Sequence, residues 1–385
     1  MAGGSLRSSA KVLWPLAAAF ALLLSCTVEQ DIKPSLSLEC IRPAYLQPGD
    51  KIALISPSYH TPMENVDTAA MILREWGFVP VVGANADKQY LGHYAGTPKE
   101  RLADLEWALK DPTIKAILCN RGGYGTIRLV DILQKDLVKE NPKWLIGFSD
   151  ITTLLGVSTR SGVMSIHGTM CSILAQSKGV DMSSTLLRDI LTGTVPEYEL
   201  PADSLSIPGH ATGTLVGGNL CTICPILGTD ADATAGDDII LFIEEVEEDM
   251  SHIDRLINTL ILNGVFNRCK GVILGEFTDC GANLDFGSVE EMFCSYLADY
   301  GIPVLCGFPA GHGAVNLPLL MGAPVTLDVT QTGARLTFDV NGFRNTVWTE
   351  DAVAEAADTE RLEAEKQRKI VRVLDFIKHY DGIKR

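Results

Sequence analysis

The sequence lacks an excess of positive charge, and this absence argues against a whole class of partners. Its 385 residues include 32 Lys and Arg against 48 Asp and Glu, so the formal net charge is −16. Proteins that bind nucleic acid neutralise its phosphates with clustered basic side chains. We therefore expect no nucleic-acid partner.

Motifs for metals and nucleotides are missing as well. Cys221 and Cys224 form a lone Cys-x-x-Cys pair, with no second Cys or His pair nearby at the spacing that a zinc site uses. The glycine-rich residues 121–125 lack the Gly-Lys-Ser/Thr ending of a phosphate-binding loop. We therefore predict no metal and no cofactor.

The ten cysteines do not point to a disulfide framework. Cys119, Cys269 and Cys306 lie in or beside apolar, strand-like runs, where a free cysteine behaves as a small hydrophobic residue. We therefore predict few or no disulfides, although an exported protein would be free to form them.

A long hydrophobic run is also lacking. The apolar stretch at residues 12–24 is too short to span a bilayer comfortably, and it follows the basic residues Arg7 and Lys11. This pattern predicts a signal peptide over residues 1–25. Its removal leaves 30 Lys and Arg against 48 Asp and Glu, a formal charge near −18.

The signal ends in Leu-Leu-Ser-Cys at residues 23–26, which resembles a bacterial lipobox. We expect cleavage before Cys26, lipidation of that cysteine and a polar tether over residues 26–45. Acyl chains would then anchor the protein to a membrane of the cell envelope as a lipoprotein. An ordinary secretory signal with an incidental cysteine is the alternative.

Strands and helices alternate from residue 50 onward, and the length of the chain is typical of two domains. Thr97 and Glu100 form a capping box at the start of one helix. Short buried strands between helices predict a doubly wound, mostly parallel sheet in a domain over residues 46–175. The predicted strands are 51–56, 79–82, 114–119, 144–147 and 163–167, and the predicted helices are 64–76 and 98–110.

A second domain, smaller and rich in strands, is predicted over residues 211–348. Residues 176–210 have mixed composition and are typical of a linker, and residues 349–385 carry the periodicity of a C-terminal helix. The predicted elements of the second domain are the strands 239–243 and 271–277, a helix with Ile253, Leu256, Ile257 and Leu260 on one face, and a hairpin of 325–329 with 336–340.

Sites in such sheets form at the carboxyl ends of the strands. Three candidate loops leave those ends, at residues 56–60, 120–125 and 147–150. Ser149 lies in the last of them, where a buried strand changes into a helix. A serine at such a turn has an exposed Oγ and a backbone N–H on each side, which favours nucleophilic attack on a carbonyl.

A nucleophilic serine needs a base, and His312 lies between two glycines that allow its loop to present the ring to a cleft. His60 and His167 also end strands on the expected side, so either could line the site. Glu244 ends the apolar strand 239–243, where a carboxylate can orient a base. Competing carboxylates stand close by, at Glu245, Glu247 and Glu248.

Several motifs in order resemble one serine peptidase family, the LD-carboxypeptidases of peptidoglycan recycling and their relatives that inactivate the antibiotic microcin C. The resemblance covers roughly residues 45–345. The motifs are Arg-Gly-Gly-Tyr-Gly at 121–125 with Arg128 and Leu129, Gly-Phe-Ser-Asp at 147–150, Leu-Phe-Ile-Glu-Glu at 241–245, Ile-Asp-Arg at 253–255, Val-Ile-Leu-Gly at 272–275, and Gly311 with His312.

The resemblance implies that Ser149 is the nucleophile, Glu244 the triad carboxylate and His312 the base. It also implies an N-terminal α/β domain that carries the serine, a C-terminal domain that carries the other two residues, and often a homodimer. The chain departs from the family pattern in its lipobox, its C-terminal helix and Thr169, where a proline often follows His-Gly. The lipobox leaves the physiological substrate open.

Other groups can be assigned around this triad. The backbone N–H groups of Asp150 and Gly123 would stabilise the oxyanion of an acyl-transfer reaction. Arg121 is a candidate to bind a substrate carboxylate, with a structural ion pair as the alternative. His167 is a second substrate-binding candidate.

Three functions follow from this assignment. The first is a carboxypeptidase that cuts the L,D-peptide bond to the terminal D-alanine of a murein tetrapeptide. The second is a microcin-type immunity peptidase that cleaves an aminoacyl-nucleotide conjugate. The third is a non-catalytic lipoprotein that binds muropeptides, against which the intact trio of serine, glutamate and histidine argues.

Overall fold

In the part of the chain that the structure describes, the protein contains two β-sheets with helices packed beside them. The computed structural model describes Met1, residues 37–201, 203–281 and 286–340, and the strand Arg344–Trp348. The predicted signal peptide, Cys26 and the predicted C-terminal helix lie outside these residues, as does most of the predicted tether. No helix in the described ranges is both long enough and apolar enough to cross a membrane.

The first sheet confirms the predicted alternation of strands and helices. Its strand order is β11-β5-β4-β3-β1-β2, and every pair is parallel except β11 with β5. The strands are β1 (Lys51–Ile55), β2 (Val79–Val82), β3 (Ile114–Cys119), β4 (Trp144–Gly147), β5 (Ser165–His167) and β11 (Leu319–Met321).

Helices accompany this sheet along the chain. The second of them begins with the predicted capping box, in which Thr97 Oγ1 accepts the Glu100 N–H and the Glu100 carboxylate accepts the Thr97 N–H. The helices are α1 (Met63–Glu75), α2 (Pro98–Lys110), α3 (Ile127–Val130), α4 (Lys135–Glu140), α5 (Thr152–Arg160), α6 (Cys171–Ser177) and α7 (Met182–Leu191).

The second sheet is mixed, with the order β10-β9-β8-β7-β12-β13-β6-β14. Strands β7 to β10 are parallel to one another, and β12 forms the predicted hairpin with β13. The strands are β6 (Thr194–Leu200), β7 (Gly209–Asn219), β8 (Ile239–Val246), β9 (Cys269–Thr278), β10 (Val304–Leu305), β12 (Pro324–Val329), β13 (Ala334–Phe338) and β14 (Arg344–Trp348). Its helices are α8 (Leu220–Ile223), α9 (Met250–Leu262) and α10 (Val289–Leu297).

Residues 176–210 do more than link two domains. They include α7, whose N-cap Asp181 accepts the Ser184 N–H at 2.9 Å, and β6, which pairs with β13 and β14 in the second sheet. The composition of the segment is mixed because β6 alternates apolar and acidic residues, which hides it from a search for apolar runs. The two sheets belong to one compact unit.

Alternation along β8 positions the second half of the site. Ile240 and Phe242 belong to the same buried core as the first sheet, whereas Leu241 and Ile243 pack in a second core with α9. Because side chains alternate between the faces of a strand, the next residue on the side of Phe242 is Glu244. The apolar part of β8 thereby directs this carboxylate toward the first sheet.

The nine described cysteines are free thiols. Cys119, Cys269 and Cys306 are buried, as their apolar surroundings predict. The Sγ atoms of Cys294 and Cys306 lie 3.5 Å apart.

Candidate active site

Ser149 occupies a strained turn between β4 and α5. Its φ angle is 63°, in the left-handed region that residues other than glycine seldom adopt, and a short 3-10 helix, Ser149–Ile151, begins there. The turn needs a glycine before it, since a Cβ on Gly147 would lie 2.9 Å from the Ile151 side chain. A serine held in this way is typical of a nucleophile at the end of a strand.

The loop after β3 closes over Ser149. A Cβ on Gly122 would lie 3.0 Å from Ser149 Cβ and 3.2 Å from Ser149 Oγ, so a larger residue would push the loop or Ser149 out of place by a few tenths of an ångström. The next residue, Gly123, has a φ of 119°. Within the described part of the chain, the backbone N–H groups of Gly123 and Asp150 have no hydrogen-bond acceptor, which leaves both available to a ligand.

The buried carboxylate of Asp150 joins the loops around Ser149. Its Oδ2 accepts a hydrogen bond from Ser58 Oγ at 2.6 Å and from the Thr126 N–H at 3.0 Å. The main-chain oxygen of Asp150 also accepts from Thr126 Oγ1 at 2.5 Å. Asp150 therefore holds the loops after β1 and β3 against the turn that carries the serine.

His312 forms a hydrogen-bonded pair with Glu244. Its Nδ1 lies 2.7 Å from Glu244 Oε2, and the two side chains are 20% and 0% exposed. Burial of the ring disfavours its charged form, but the hydrogen bond and charge of Glu244, with the charges of Glu245 and Glu247, outweigh burial and raise the pKa of His312. The pair has the geometry of a base and its orienting carboxylate.

The three competing carboxylates do not replace Glu244. Glu245 and Glu248 are hydrogen-bonded to other groups, and Glu247 is exposed. Among the described residues, only Glu244 accepts a hydrogen bond from His312.

Both glycines beside His312 make room for carboxylates. A Cβ on Gly311, whose φ is 142°, would lie 3.1 Å from Glu244 Oε2, and a Cβ on Gly313 would lie only 1.3 Å from Glu276 Oε2. The Gly313 N–H donates to the Glu276 carboxylate. Burial, opposed by that hydrogen bond, raises the pKa of Glu276.

Glu276 was missed by sequence reasoning, although a signal for it exists. It directly follows the Val-Ile-Leu-Gly motif of β9, and β9 runs parallel to β8 with Phe277 opposite Glu245. The parallel register therefore places Glu276 beside Glu244 at the end of the sheet. Asn316 was also missed; its Oδ1 accepts the Gly311 N–H at 3.1 Å and steadies the same loop.

Phe148 brings the serine and the histidine together. Its ring centroid lies 4.9 Å from that of His312, and the next residue in the chain is Ser149. No hydrogen bond joins Ser149 Oγ to His312 among the described residues. Bonds between a nucleophile and its base are often long before substrate binds, and they shorten in the complex.

The structure corrects the prediction that His167 contacts substrate. The side chain is 0% exposed, and its ring packs between those of Phe148 and Phe242 at centroid distances of 5.6 and 5.0 Å. Burial lowers its pKa to about 3. His167 ends β5 on the expected side of the sheet, but the second sheet covers it.

Arg121 remains a candidate for carboxylate binding. Its side chain is exposed on the loop after β3, one residue before Gly122, and it makes no ion pair with any described residue. The predicted alternative, a structural ion pair, is not seen in that part of the chain. His60, the remaining strand-end histidine, lies 3.2 Å from Gln89 through its Nε2.

Comparisons with known proteins agree with this arrangement. The family model of the LD-carboxypeptidase N-terminal domain matches residues 52–168, which include Ser149. The model of the LD-carboxypeptidase C-terminal domain matches residues 212–327, which include Glu244 and His312.

Two relatives and one solved structure illustrate the range of the match. The murein tetrapeptide carboxypeptidase of Pseudomonas aeruginosa is 31% identical over 296 residues, 73% of this chain and 94% of that relative. The microcin C7 self-immunity protein of Escherichia coli is 29% identical over 334 residues, 76% of this chain and 95% of that relative. The structure of an MccF-like protein from Bacillus anthracis superimposes with a TM-score of 0.68 and 26% identity, covering 78% of this chain and 100% of that one.

Proposed function

Because the chain belongs to the LD-carboxypeptidase family and is a serine-type carboxypeptidase, we propose that it hydrolyses the L,D-peptide bond to the terminal D-alanine of murein tetrapeptides. One observation carries the proposal. The pair of His312 and Glu244, joined at 2.7 Å, packs through Phe148 against the turn that holds Ser149. A turn serine near a histidine that a carboxylate orients supports acyl transfer to that serine.

In the proposed reaction Ser149 Oγ attacks the carbonyl carbon of the scissile bond while His312 takes the hydroxyl proton. Glu244 holds the ring and stabilises its charged form. The proton then passes to the amine of the leaving D-alanine, and water, activated by the same histidine, releases the acyl group from the serine.

The backbone N–H groups of Gly123 and Asp150 would bind the oxyanion that forms in each step. Neither has an acceptor among the described residues; Gly123 belongs to the loop after β3, and Asp150 follows Ser149 in the same turn. Each such donor typically stabilises the transition state by about 3 kcal/mol. Asp150 would thus have two roles. Its backbone N–H would bind the oxyanion, and its carboxylate holds the loops after β1 and β3.

Arg121 would supply the positive charge for the terminal carboxylate, which an acidic protein must provide locally. Amidation of the terminal D-alanine should then lower kcat/KM by about one to two orders of magnitude, as expected for a hydrogen bond to a charged group. Equal cleavage of free and amidated peptides would contradict carboxylate recognition while leaving the serine chemistry intact.

A microcin-type immunity peptidase is the second candidate, supported by the 29% identity to the Escherichia coli self-immunity protein. It uses the same serine chemistry, so the triad does not separate the two. A non-catalytic muropeptide-binding lipoprotein is the third candidate, and the hydrogen-bonded pair beside a strained serine is evidence against it.

The proposal includes a location in the cell. We propose that lipid on Cys26 anchors the mature chain in the cell envelope, where murein peptides are found; the support is the lipobox-like end of the signal. Cys26→Ser should move the protein out of the membrane fraction or block its cleavage. Wild-type protein found soluble and unmodified would contradict the anchor. A homodimer is likewise proposed from the family resemblance alone.

The deciding experiment incubates the purified protein with a murein tetrapeptide and, separately, with an aminoacyl-nucleotide conjugate, and weighs the products. We expect release of D-alanine from the tetrapeptide. Ser149→Ala should abolish it, whereas Ser295→Ala, which alters an exposed serine on α10, should not. Cleavage of the conjugate alone would favour the immunity function, and normal turnover by Ser149→Ala would contradict both.

A further inference from the structure

Four tyrosines from three loops form one surface beside the candidate nucleophile. We call Tyr59, Tyr90, Tyr94 and Tyr124 the tyrosine surface. The ring centroid of Tyr94 lies 5.7 Å from that of Tyr59, 6.3 Å from that of Tyr90 and 6.1 Å from that of Tyr124. Tyr90 and Tyr124 are 37% and 45% exposed, so parts of both outer side chains are accessible to solvent.

The order of the strands explains why residues so far apart in sequence meet. Tyr59 follows β1, Tyr90 and Tyr94 follow β2, and Tyr124 follows β3. The carboxyl ends of these parallel strands share one edge of the sheet with the end of β4, which carries Ser149. The tyrosine surface therefore extends the site along this edge, on the side away from β5.

The tyrosine surface reaches Ser149 through the glycines of the loop after β3. The Tyr59 side chain occupies the space that a Cβ on Gly123 would need, at 2.3 to 2.7 Å, and Gly122 approaches Ser149 as described above. A ligand whose carbonyl carbon lies at Ser149 would thus meet Tyr59 first and the outer rings further along. A contiguous exposed apolar patch beside a catalytic residue is typical of a ligand-binding groove.

The surface is also rigid. Tyr90 and Tyr94 exchange two backbone hydrogen bonds, of 2.9 and 3.0 Å, and the Ala95 N–H donates to Ser58 O at 3.0 Å. Beneath the rings, the buried Arg101 donates through Nη1 to Pro57 O at 2.5 Å and to Gly125 O at 2.9 Å. The three loops are therefore fixed before any ligand arrives, which lowers the entropic cost of binding.

A cation completes the surface. The Arg128 guanidinium lies 5.0 Å from the ring centroid of Tyr94 and 5.7 Å from that of Tyr124, and it has no ion-pair partner among the described residues. In a chain with a net charge of −16, an exposed and unpaired guanidinium between aromatic rings suits a ligand that carries both a ring and negative charge.

We propose that the tyrosine surface, with Arg128, is a subsite for the pyranose ring that a murein peptide carries at its N-terminal end. A pyranose offers one face of C–H groups to an aromatic ring, a hydroxylated edge to tyrosine O–H groups and an acidic stem peptide to a guanidinium. The inference rests on the proposed function. It goes further, since it assigns named residues to the sugar and predicts that they strengthen binding of a sugar-bearing peptide over the free tetrapeptide.

The length of the acyl part of the substrate decides where the sugar would lie. On the acyl side of the scissile bond a tetrapeptide has three residues, which span at most about 10 Å when extended. The outer rings lie two ring-to-ring steps of about 6 Å from Tyr59, by way of Tyr94. The proposal places the sugar beyond Tyr59, on these rings.

Binding to the full-length Ser149→Ala protein tests the subsite without turnover. Calorimetry would compare a disaccharide tetrapeptide with the free tetrapeptide, and we expect the sugar to improve Kd by about tenfold, in the range of a well-packed aromatic contact. Tyr90→Ala combined with Tyr124→Ala should erase this difference while leaving the Kd of the free tetrapeptide within about twofold. Tyr90→Phe with Tyr124→Phe should keep most of it.

Tyr45→Ala is the matched control. Tyr45 is 39% exposed and also lies under an arginine, but it is near the start of β1, at the opposite edge of the sheet. Equal Kd values for the two ligands in the parent protein, or equal losses for both ligands in the alanine variant, would overturn the subsite. A loss confined to an aminoacyl-nucleotide conjugate would overturn the sugar assignment in favour of a base. Hydrolysis of the free tetrapeptide by the wild type tests the proposed function independently.

Discussion

His312 and His167 both pack against Phe148, but they differ in their partners and in the direction of their pKa shifts. The ring centroids of the two histidines are 4.9 and 5.6 Å from that of Phe148. His312 has a carboxylate on Nδ1 and a raised pKa. His167 has no carboxylate on either ring nitrogen among the described residues, where a neighbouring polar side chain is that of Asn316, and burial lowers its pKa to about 3.

The comparison shows that a partner, more than burial, decides which histidine can serve as a base. Both rings are largely buried, and burial alone disfavours the charged form of each. Glu244 reverses that effect for His312, with smaller help from Glu245 and Glu247. Without such a carboxylate, His167 stays neutral and serves to pack Phe148 and Phe242.

The largest expected effect comes from removing the base. His312→Ala should lower kcat on a murein tetrapeptide by about three orders of magnitude or more, since members of a triad act as a unit. His167→Leu, which keeps a similar volume, should lower kcat by less than about fivefold. Comparable losses in the two variants, measured by release of D-alanine, would break the distinction between the histidines.

Glu244→Gln tests the partner itself. The amide keeps the shape of the carboxylate but removes its charge, and we expect kcat to fall by about two to four orders of magnitude. The pKa of His312 should also fall toward that of an unpaired buried ring. Because the base must be neutral, the acid limb of the pH profile of kcat/KM should then move to lower pH. An acid limb that stays at the same pH would show that Glu244 does not raise the pKa of His312.

Glu276 offers a finer test, because charge and hydrogen bond can be removed separately. The groups that face His312 are Glu244, Glu245 and Glu247 from β8 and its loop, Glu276 from β9, and His167 from β5. Glu276→Gln keeps an acceptor for the Gly313 N–H and should lower kcat/KM by less than about fivefold, with a small shift of the acid limb to lower pH.

Glu276→Ala removes the acceptor as well, and we expect a loss of about tenfold through a misplaced His312 loop. Glu290→Gln, on α10, is the control for loss of one carboxylate. Equal activity of Glu276→Ala and wild type would show that this contact does not position the base.

His167→Leu should have the smallest effect on activity but a clear effect on the pH dependence of stability. With a folded pKa of about 3 and an unfolded pKa near 6.5, His167 binds a proton in the unfolded chain before the folded one. Between those values, lowering the pH should therefore lower the free energy of unfolding, by up to about 1.4 kcal/mol per pH unit. His167→Leu should remove that contribution, and denaturant titrations at pH 6 and pH 4 would measure it. An unchanged pH dependence would contradict a His167 ring that stays neutral in the folded protein.

Local signals in the sequence predicted most of the first sheet. The strand Ile114–Cys119 and the capped helix Pro98–Lys110 have the predicted bounds, because apolar runs and a capping box act over a few residues. The turn at Ser149 also follows from local pattern. The acidic alternation of Thr194–Leu200 concealed a strand whose partners come from the far end of the chain.

What could not be predicted depends on contacts between distant segments. The sequence placed His167 at a strand end but could not show that Phe242 covers it. It could not separate Glu244 from Glu245 without knowing which face of β8 meets the first sheet. The tyrosines were not recognised as a group because only the strand order brings their loops together.

Labelling with a fluorophosphonate, followed by peptide mass analysis, tests the central claim most directly. This reagent reacts with serines whose hydroxyl is activated by a neighbouring base. We predict a single label on Ser149 in the wild type and in His167→Leu, with labelling at least about a hundredfold slower in His312→Ala. A label on another residue, or equal labelling rates of Ser149 with and without His312, would contradict the account.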